Sequence, residues 1–261
     1  MSLFITEQID YEREIIDEKN YLILKNEKFE SFNESVLGLG LISETSNVMS
    51  AICAIFDLEG FTNFCKQTDP QLSVPVFLSE YLKWIFNEIK QETMHKHGLN
   101  GYALWHDLPI LIKFMGDGLL VIWNTKNIDE IYQRNIIHSM NNITMKYIKT
   151  FLPKIKRMVS DPPSALRCGI SKGNIYSVGN GNDFVGPCIN LASRLQKLPY
   201  LTFSFSARGF NIENGWKEGV KKDWLIKTFN IRGMANQELI YIKKDEFDKI
   251  PEDEKVIFGE I

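Results

Sequence analysis

The sequence has few of the residues from which disulfide frameworks, zinc sites and membrane spans are built. Its cysteines lie far apart and form no CxxC pair, and they are Cys53, Cys65, Cys168 and Cys188. We expect reduced thiols, as in cytosolic proteins. Of the four histidines, His95 and His97 are two residues apart, a spacing that does not place them on one helix face, which argues against a histidine metal site. No stretch reaches the roughly 20 uninterrupted apolar residues of a membrane helix, and the N-terminus lacks the pattern of a secretory signal. The sequence predicts a cytoplasmic protein.

The sequence also has no large excess of positive or negative charge. The chain has 30 basic and 33 acidic residues, for a formal net charge of −3. Both signs are spread along its length, so no basic field would attract nucleic acid or an anionic membrane. Any polyanionic ligand must therefore be held by a few local groups.

The chain length of 261 residues suits one substantial core with additions. Residues 1–48 are charged and amphipathic and end in GLGLISETSN, whose small and polar residues are typical of a linker. We predict an N-terminal extension over 1–48, one folded domain over 49–243 and an acidic C-terminal tail over 244–261.

The order of apolar patterns within 49–243 predicts the fold. VMSAICAIFDL is a buried strand that ends at Asp57, and residues 70–97 have helical spacing. PILIKFMGDGLLVIWNT predicts a hairpin with Asp117 at its tip, and a second helix follows over about 129–158. ALRCGISKGNIYSVG then begins a further strand. This order predicts an α+β fold with a ferredoxin-like βαββαβ core and a mostly antiparallel sheet.

Two aspartates, Asp57 and Asp117, each stand at the end of an apolar strand. A carboxylate in such a place is costly unless a cation compensates for its lost hydration. In a βαββαβ sheet the two strands are neighbours, and oxygen-only ligation is what Mg²⁺ and Mn²⁺ prefer. Alternatively, Asp57 caps the following helix and Asp117 serves the GDG turn. The spacing alone leaves both interpretations open.

Four segments carry a resemblance to a known family. They are FDLEGFTNF (56–64), KFMGDGLLVIW (113–123), LRCGISKG (166–173) and DFVGPCINLASRL (183–195). In this order they resemble the signature blocks of class III adenylate and guanylate cyclases, over residues from about 48 to 243. The resemblance implies an enzyme that closes a nucleoside triphosphate into a 3′,5′-cyclic monophosphate with two Mg²⁺ or Mn²⁺ ions per active site.

The resemblance also implies a role for particular residues. Asp57 and Asp117 match the metal-binding aspartates, with the carbonyl of Leu58 as a further ligand. The other matches are Asn190 for the ribose, Arg194 for the transition state, Lys113 and Asp183 for the base, and Arg167 and Arg232 for the phosphates. Arg232 matches by position only. The other residues also have simpler interpretations: Lys113 as a solvated strand lysine, Asp183 as a turn residue, Asn190 and Arg194 as an exposed polar face, and Arg167 as half of a cross-strand ion pair.

Members of this family work as head-to-tail dimers in which one subunit supplies the aspartates and the other the base-reading residues, the asparagine and the arginine. Because this chain carries both sets, the resemblance implies a homodimer with two composite sites. No nucleic acid and no membrane are expected as partners.

The sequence determines the base of the nucleotide substrate less well than any other feature. Lys113 can only donate hydrogen bonds and an ionised Asp183 can only accept them, which suits adenine, cytosine and uracil. The segment VMSAICAIFDLEGFTNFCKQTDPQ, followed by SEYLKWIF, is more similar to the stand-alone pyrimidine cyclases of bacterial anti-phage (Pycsar) systems, and Asn182 stands where purine cyclases commonly have an aromatic residue. The resemblance therefore favours a uridylate cyclase over a cytidylate cyclase, and it implies that the cyclic nucleotide activates a separate effector protein. Adenylate cyclase is the alternative.

Two further functional classes share part of this pattern. A degenerate, non-catalytic cyclase-like domain would have lost some of these polar residues, and none is lost. A polymerase-like nucleotidyltransferase shares the βαββαβ core and the carboxylate pair, but it has no use for the DxxGxxxNxAxR pattern and needs a basic groove for its template.

Overall fold

The computed structural model describes residues 12–30, 33–98, 101–212, 221–231, 233 and 237–260. The chain divides into two compact units. One comprises Met1–Val48 with Tyr176–Val185, and the other comprises Met49–Ile175 with Gly186–Ile261. The predicted division into residues 1–48, 49–243 and 244–261 stays a prediction.

The first unit begins with an antiparallel hairpin of β1 (Glu12–Ile16) and β2 (Lys19–Ile23). Asp17 and Glu18 form its two-residue turn and both have positive φ, the conformation that matches the twist of paired strands. Helix α1 (Asn26–Glu30) and a 3₁₀ turn (Glu34–Leu37) follow.

The second unit is built on one large sheet. The described strands of the chain beyond the first hairpin are β3 (Val48–Glu59), β4 (Met94–Gly98), β5 (Gly101–Leu104), β6 (Leu111–Phe114), β7 (Gly118–Asn124), β8 (Ala165–Val178), β9 (Asp183–Val185), β10 (Phe203–Ser206), β11 (Trp224–Asn230), β12 (Gln237–Lys243) and β13 (Phe258–Gly259). Among the described residues the sheet order is β13-β11-β12-β10-β8-β3-β7-β6. Strand β10 is parallel to β8, whereas β3–β7, β6–β7, β10–β12, β11–β12 and β11–β13 are antiparallel. The predicted α+β fold with a mostly antiparallel sheet and a βαββαβ core is confirmed.

Two long helices, α3 (Pro70–Thr93) and α4 (Glu130–Lys146), cover one face of this sheet, and a short helix α2 (Phe61–Phe64) precedes them. They enclose the main core, whose largest buried side chains include Phe56, Phe77, Tyr81, Trp123 and Tyr147. The first predicted helix ends four residues early, at Thr93, because Met94–Gly98 pairs with β5 instead. The second is interrupted by a π-helical turn at Tyr147–Phe151 before α5 (Leu152–Ile155).

Helix α6 (Pro187–Leu195) packs on the opposite face of the sheet. Its Leu191 and Leu195 join a second core with Ile240 and Ile242 of β12. A Cβ atom at Gly169 of β8 would lie 2.3 Å from the carbonyl oxygen of Ala192 and 2.4 Å from the nitrogen of Gln196. The absence of a side chain at Gly169 therefore lets α6 contact the strand backbone directly.

Residues predicted as an acidic tail contribute to the sheet. Helix α7 (Lys244–Phe247) and a 3₁₀ turn (Lys255–Ile257) lead to β13, which pairs with β11 at the sheet edge. Ile250 and Phe258 are buried in the second core. None of the described helices combines the length and apolarity that crossing a membrane requires.

Candidate active site

Strand register places three of the predicted site residues on one face of the sheet. In β3 and β8, residues on either side of Asp57 and Arg167 belong to the core beneath α3 and α4, for example Phe56 and Leu166. Because successive side chains of a strand alternate between faces, Asp57 and Arg167 point to the opposite face. Lys113 of β6 alternates with Ile112, which packs against the same core, and thus also lies on that opposite face.

The GDG hairpin holds Asp117 against the end of β3. Asp57 pairs with Gly118, and the backbone N–H of Leu58 donates to the carbonyl oxygen of Asp117 at 3.1 Å. A Cβ atom at Gly118 would lie 2.0 Å from the carbonyl oxygen of Phe56. Glycine at this position is therefore what allows the hairpin tip to approach β3.

Asp57 is held by an ion pair across the sheet. Nη2 of Arg167 donates to Oδ2 of Asp57 at 2.7 Å, and Nη1 lies 3.8 Å from Oε1 of Glu59. The Asp57 side chain is 16% exposed and that of Arg167 22%, so this charge-assisted bond is shielded from most of the solvent. Helix α2 has Gly60 at its N-cap and no capping side chain. The alternative interpretation of Asp57 as a helix cap is therefore wrong.

These groups line a common cavity of about 260 Å³. Its walls include four of the predicted residues, Asp57, Leu58, Asp117 and Arg167. The turn that opens α2 and Lys197 complete the lining. Lys197 was not predicted, because it follows the matched segment DFVGPCINLASRL and no periodic signal distinguishes it from a solvated lysine.

Asn190 and Arg194 lie one turn apart on α6 and both are exposed. Neither lines the cavity of the aspartates, and neither does the exposed Lys113. The described part of a single chain thus brings the aspartates and Arg167 together but leaves the other predicted catalytic residues outside that cavity.

The N-terminal end of α6 is fixed by a buried polar cluster. Oγ of Ser171 donates to the carbonyl oxygen of Cys188 at 2.5 Å and lies 3.2 Å from its Sγ. A hydrogen bond with Cys53 lowers the pKa of the Cys188 thiol, and the same bond together with burial raises that of Cys53. All four cysteines are free thiols.

The two remaining predicted residues are placed differently. Asp183 begins β9 in the other unit, and its Oδ1 accepts a hydrogen bond from the backbone nitrogen of Phe184 at 2.9 Å. Arg232 lies outside the described residues.

Comparison with known proteins defines the fold. No protein-family model matches the sequence, and no curated protein matches it. The structure of the guanylyl cyclase Cya2 is similar to this chain with a TM-score of 0.56 and 17% identity, over 77% of this chain and 94% of that one. The catalytic core of a rhodopsin-guanylyl cyclase with converted specificity, in complex with ATPαS, is similar with a TM-score of 0.50 and 15% identity, over 77% of this chain and 98% of that one. This chain has the class III cyclase fold.

Within the cyclase fold, the oxygen ligands at the cavity suit a hard divalent cation. The carboxylates of Asp57 and Asp117 and the carbonyl of Leu58 are of the type that Mg²⁺ and Mn²⁺ prefer. Among the described residues no cluster of three or more His, Cys, Asp or Glu side chains could hold a metal ion. Asp57, Asp117 and Leu58 therefore fit an ion that takes its remaining ligands from water and from the phosphates of a substrate.

Proposed function

We propose that this chain is a nucleotidyl cyclase that converts UTP, and secondarily CTP, to the 3′,5′-cyclic monophosphate and pyrophosphate. The observation that carries the proposal is the meeting of Asp57 and Asp117 at one cavity, with Arg167 beside them, in a chain of the cyclase fold.

Asp57, Asp117 and the carbonyl of Leu58 would hold two Mg²⁺ or Mn²⁺ ions. When bound, such ions lower the pKa of the attacking hydroxyl and neutralise charge on the phosphates. Arg167 orients the Asp57 carboxylate through its 2.7 Å bond, and it lies beside the cavity where its guanidinium can also meet a phosphate oxygen.

The second half of the site would come from another copy of the chain. Asn190 would position the ribose for in-line attack, and Arg194 would donate to the oxygens on which negative charge develops. Both side chains are exposed and neither lines the aspartate cavity of its own chain, which supports a head-to-tail homodimer with composite sites.

Base recognition would fall to Lys113 and Asp183. A donor and an acceptor fit the edges of uracil, cytosine and adenine, so hydrogen-bonding logic leaves adenylate cyclase as the alternative. The fold does not settle the base either, because the similar rhodopsin-guanylyl cyclase core with converted specificity is bound to an adenine nucleotide analogue. Preference for a pyrimidine rests on the segment around Asp57 and on Asn182, as does the proposed role of the product in activating an anti-phage effector.

The test is to incubate the purified chain with Mn²⁺ and separately with ATP, GTP, CTP and UTP, and to identify the products by mass spectrometry. We expect cyclic UMP, or cyclic CMP, and no product from the Asp57→Ala, Asp117→Ala double variant. Cyclic AMP would instead establish the adenylate alternative. The absence of any product from the unmodified chain would overturn the enzymatic proposal in favour of a non-catalytic nucleotide-binding domain.

The role of Lys113 is tested with the same four substrates. Changing Lys113 to Met should alter the preference among nucleotides more than it alters the dependence on Mn²⁺. An unchanged nucleotide profile would remove Lys113 from base recognition.

A further inference from the structure

Lys197 lies on the cavity wall and its backbone is held in place, although it follows the residues that match the cyclase family. Its backbone N–H donates to the carbonyl oxygen of Arg194 at 3.1 Å, in the turn that ends α6. Its neighbours Gln196 and Leu198 are each 3% exposed. Between these two buried neighbours the Lys197 side chain is exposed and lines the cavity.

The two positively charged side chains at the cavity, Arg167 and Lys197, differ in whether a carboxylate of the protein binds them. Arg167 is bound to Asp57 and lies near Glu59, so its charge is largely compensated within the protein. Lys197 faces the same cavity, yet it forms no ion pair with any carboxylate in the part of the chain that the structure describes. An ammonium group that forms no internal ion pair can bind an anionic ligand without first breaking such a bond.

The lining of the cavity indicates which part of a nucleotide it suits. Its volume of about 260 Å³ lies at the lower end of the roughly 300–1,000 Å³ typical of small-molecule pockets. Its lining is polar and charged, with Thr62, Asn63 and Lys197 beside the aspartates. These features suit the phosphate tail of a nucleotide better than its base.

We infer that Lys197 binds the β- and γ-phosphates of the nucleoside triphosphate, and afterwards the pyrophosphate product, in the chain that also supplies Asp57 and Asp117. The inference rests on the proposed function for its substrate. A lysine suits the role because its ammonium is a compact charge on a flexible stem and follows a phosphate group that changes position during a reaction. Lys197 is a substrate-binding residue in this assignment, and it takes no part in proton transfer.

The direct test uses inorganic pyrophosphate as the probe and needs no turnover. Binding of pyrophosphate in the presence of Mn²⁺ is measured by titration calorimetry on the full chain and on the Lys197→Ala, Lys197→Arg and Lys126→Ala variants. Lys126 is exposed and does not line the cavity, so it controls for the loss of one positive charge. We expect the dissociation constant to rise about tenfold for Lys197→Ala, to stay within about threefold for Lys197→Arg and to be unchanged for Lys126→Ala. Equal binding by Lys197→Ala and the unmodified chain, or no binding by the unmodified chain, would overturn the assignment.

Steady-state kinetics separates this inference from the proposed function. For Lys197→Ala we expect KM for UTP to rise about tenfold, kcat to stay within about threefold, and product inhibition by pyrophosphate to weaken by the same factor as binding.

If the unmodified chain binds pyrophosphate through Lys197 but forms no cyclic nucleotide, the proposed function fails and the assignment of Lys197 stands. If cyclic nucleotide forms and Lys197→Ala leaves KM and pyrophosphate inhibition unchanged, the assignment fails and the proposed function stands. Because the side chain is exposed, thermal unfolding should confirm that the variant remains folded.

Discussion

The guanidinium of Arg167 lies 2.7 Å from a carboxylate oxygen of Asp57 across two neighbouring strands, β8 and β3. The same carboxylate is one of the three proposed metal ligands. An internal cation therefore compensates the charge of Asp57 in the chain without a metal, which explains how a carboxylate that is only 16% exposed is tolerated there.

Replacing Asp57 with Ala should abolish cyclase activity and also destabilise the protein. Arg167 would keep only Glu59, at 3.8 Å, so we expect a loss of about 1–3 kcal/mol in the free energy of unfolding, measured by urea denaturation. Glu59→Ala is the matched control, and because the Glu59 side chain is 49% exposed it should cost less than about 1 kcal/mol. If both variants lose the same stability, the close ion pair does not form in solution.

Mixing two inactive variants tests the composite site. Asp57→Ala and Arg194→Ala chains should together regain about a quarter of the unmodified activity, since random exchange makes half of the dimers mixed and each mixed dimer has one intact site. A mixture of Asp57→Ala with Asp117→Ala should regain none, because both changes fall in the same half-site. Activity in the second mixture, or its absence in the first, would contradict the head-to-tail arrangement.

Gly118→Ala should displace Asp117 by forcing the hairpin backbone to move. The added methyl group would lie 2.0 Å from the carbonyl oxygen of Phe56, so the hairpin must move away from β3 and carry Asp117 with it. We expect about 1–3 kcal/mol of destabilisation and at least a tenfold loss of activity. The control is Gly173→Ala in β8, where the new methyl group would meet only Cys188 Cβ at 3.6 Å and both properties should stay nearly unchanged.

Tyr81→Phe should leave stability unchanged or raise it by up to about 1 kcal/mol. The hydroxyl of Tyr81 is buried and has no hydrogen-bond partner among the described residues, and burial raises the pKa of this phenol well above its usual value. Tyr147→Phe is the contrasting variant, because the Tyr147 hydroxyl donates to the carbonyl oxygen of Pro163 at 2.8 Å and its loss should cost about 1 kcal/mol. Equal effects in thermal unfolding would show that the Tyr81 hydroxyl has a partner in solution.

Stability should decrease on acidification because of the buried His106 and the partly buried His138. Burial lowers the pKa of His106, and burial with repulsion from Lys243 lowers that of His138. Since each group takes up its proton more readily in the unfolded chain, the stabilisation is present above the unfolded pKa of about 6.5 and is lost as the pH falls through that value toward the folded pKa. The free energy of unfolding should therefore be lower at pH 5.5 than at pH 7.5, and the difference should shrink in His106→Asn. An unchanged pH dependence in that variant would show that His106 is not the group responsible.

The central part of the fold was predictable from local patterns. The apolar runs around Asp57 and on both sides of the GDG turn are long enough to define β3, β6 and β7, and together with the intervening helices they determine the βαββαβ order. The predicted end of the first helix at about residue 97 was wrong, because residues after Thr93 pair with β5. Within the residues predicted as an acidic tail, Phe258 is buried because β13 pairs with β11, a long-range pairing that local patterns do not reveal.

The site was predictable to a similar extent. Asp57 and Asp117 could be brought together in advance because the neighbouring positions of their strands follow from the fold. Lys197 could not, since the direction of its side chain depends on how α6 is seated on β8 at Gly169. The ion pair of Arg167 with Asp57 was one of two interpretations that the sequence allowed, and the structure shows that it forms.

Helix α6 carries Arg194 and, in the turn that closes it, Lys197. In the proposed dimer these residues serve different active sites, Lys197 that of its own chain and Arg194 that of the partner. Any shift of α6 along β8 would then change the geometry of both sites at once. A ligand that moved α6 on binding at one site would therefore alter the affinity of the other, and the dependence of rate on substrate concentration would then depart from a simple hyperbola.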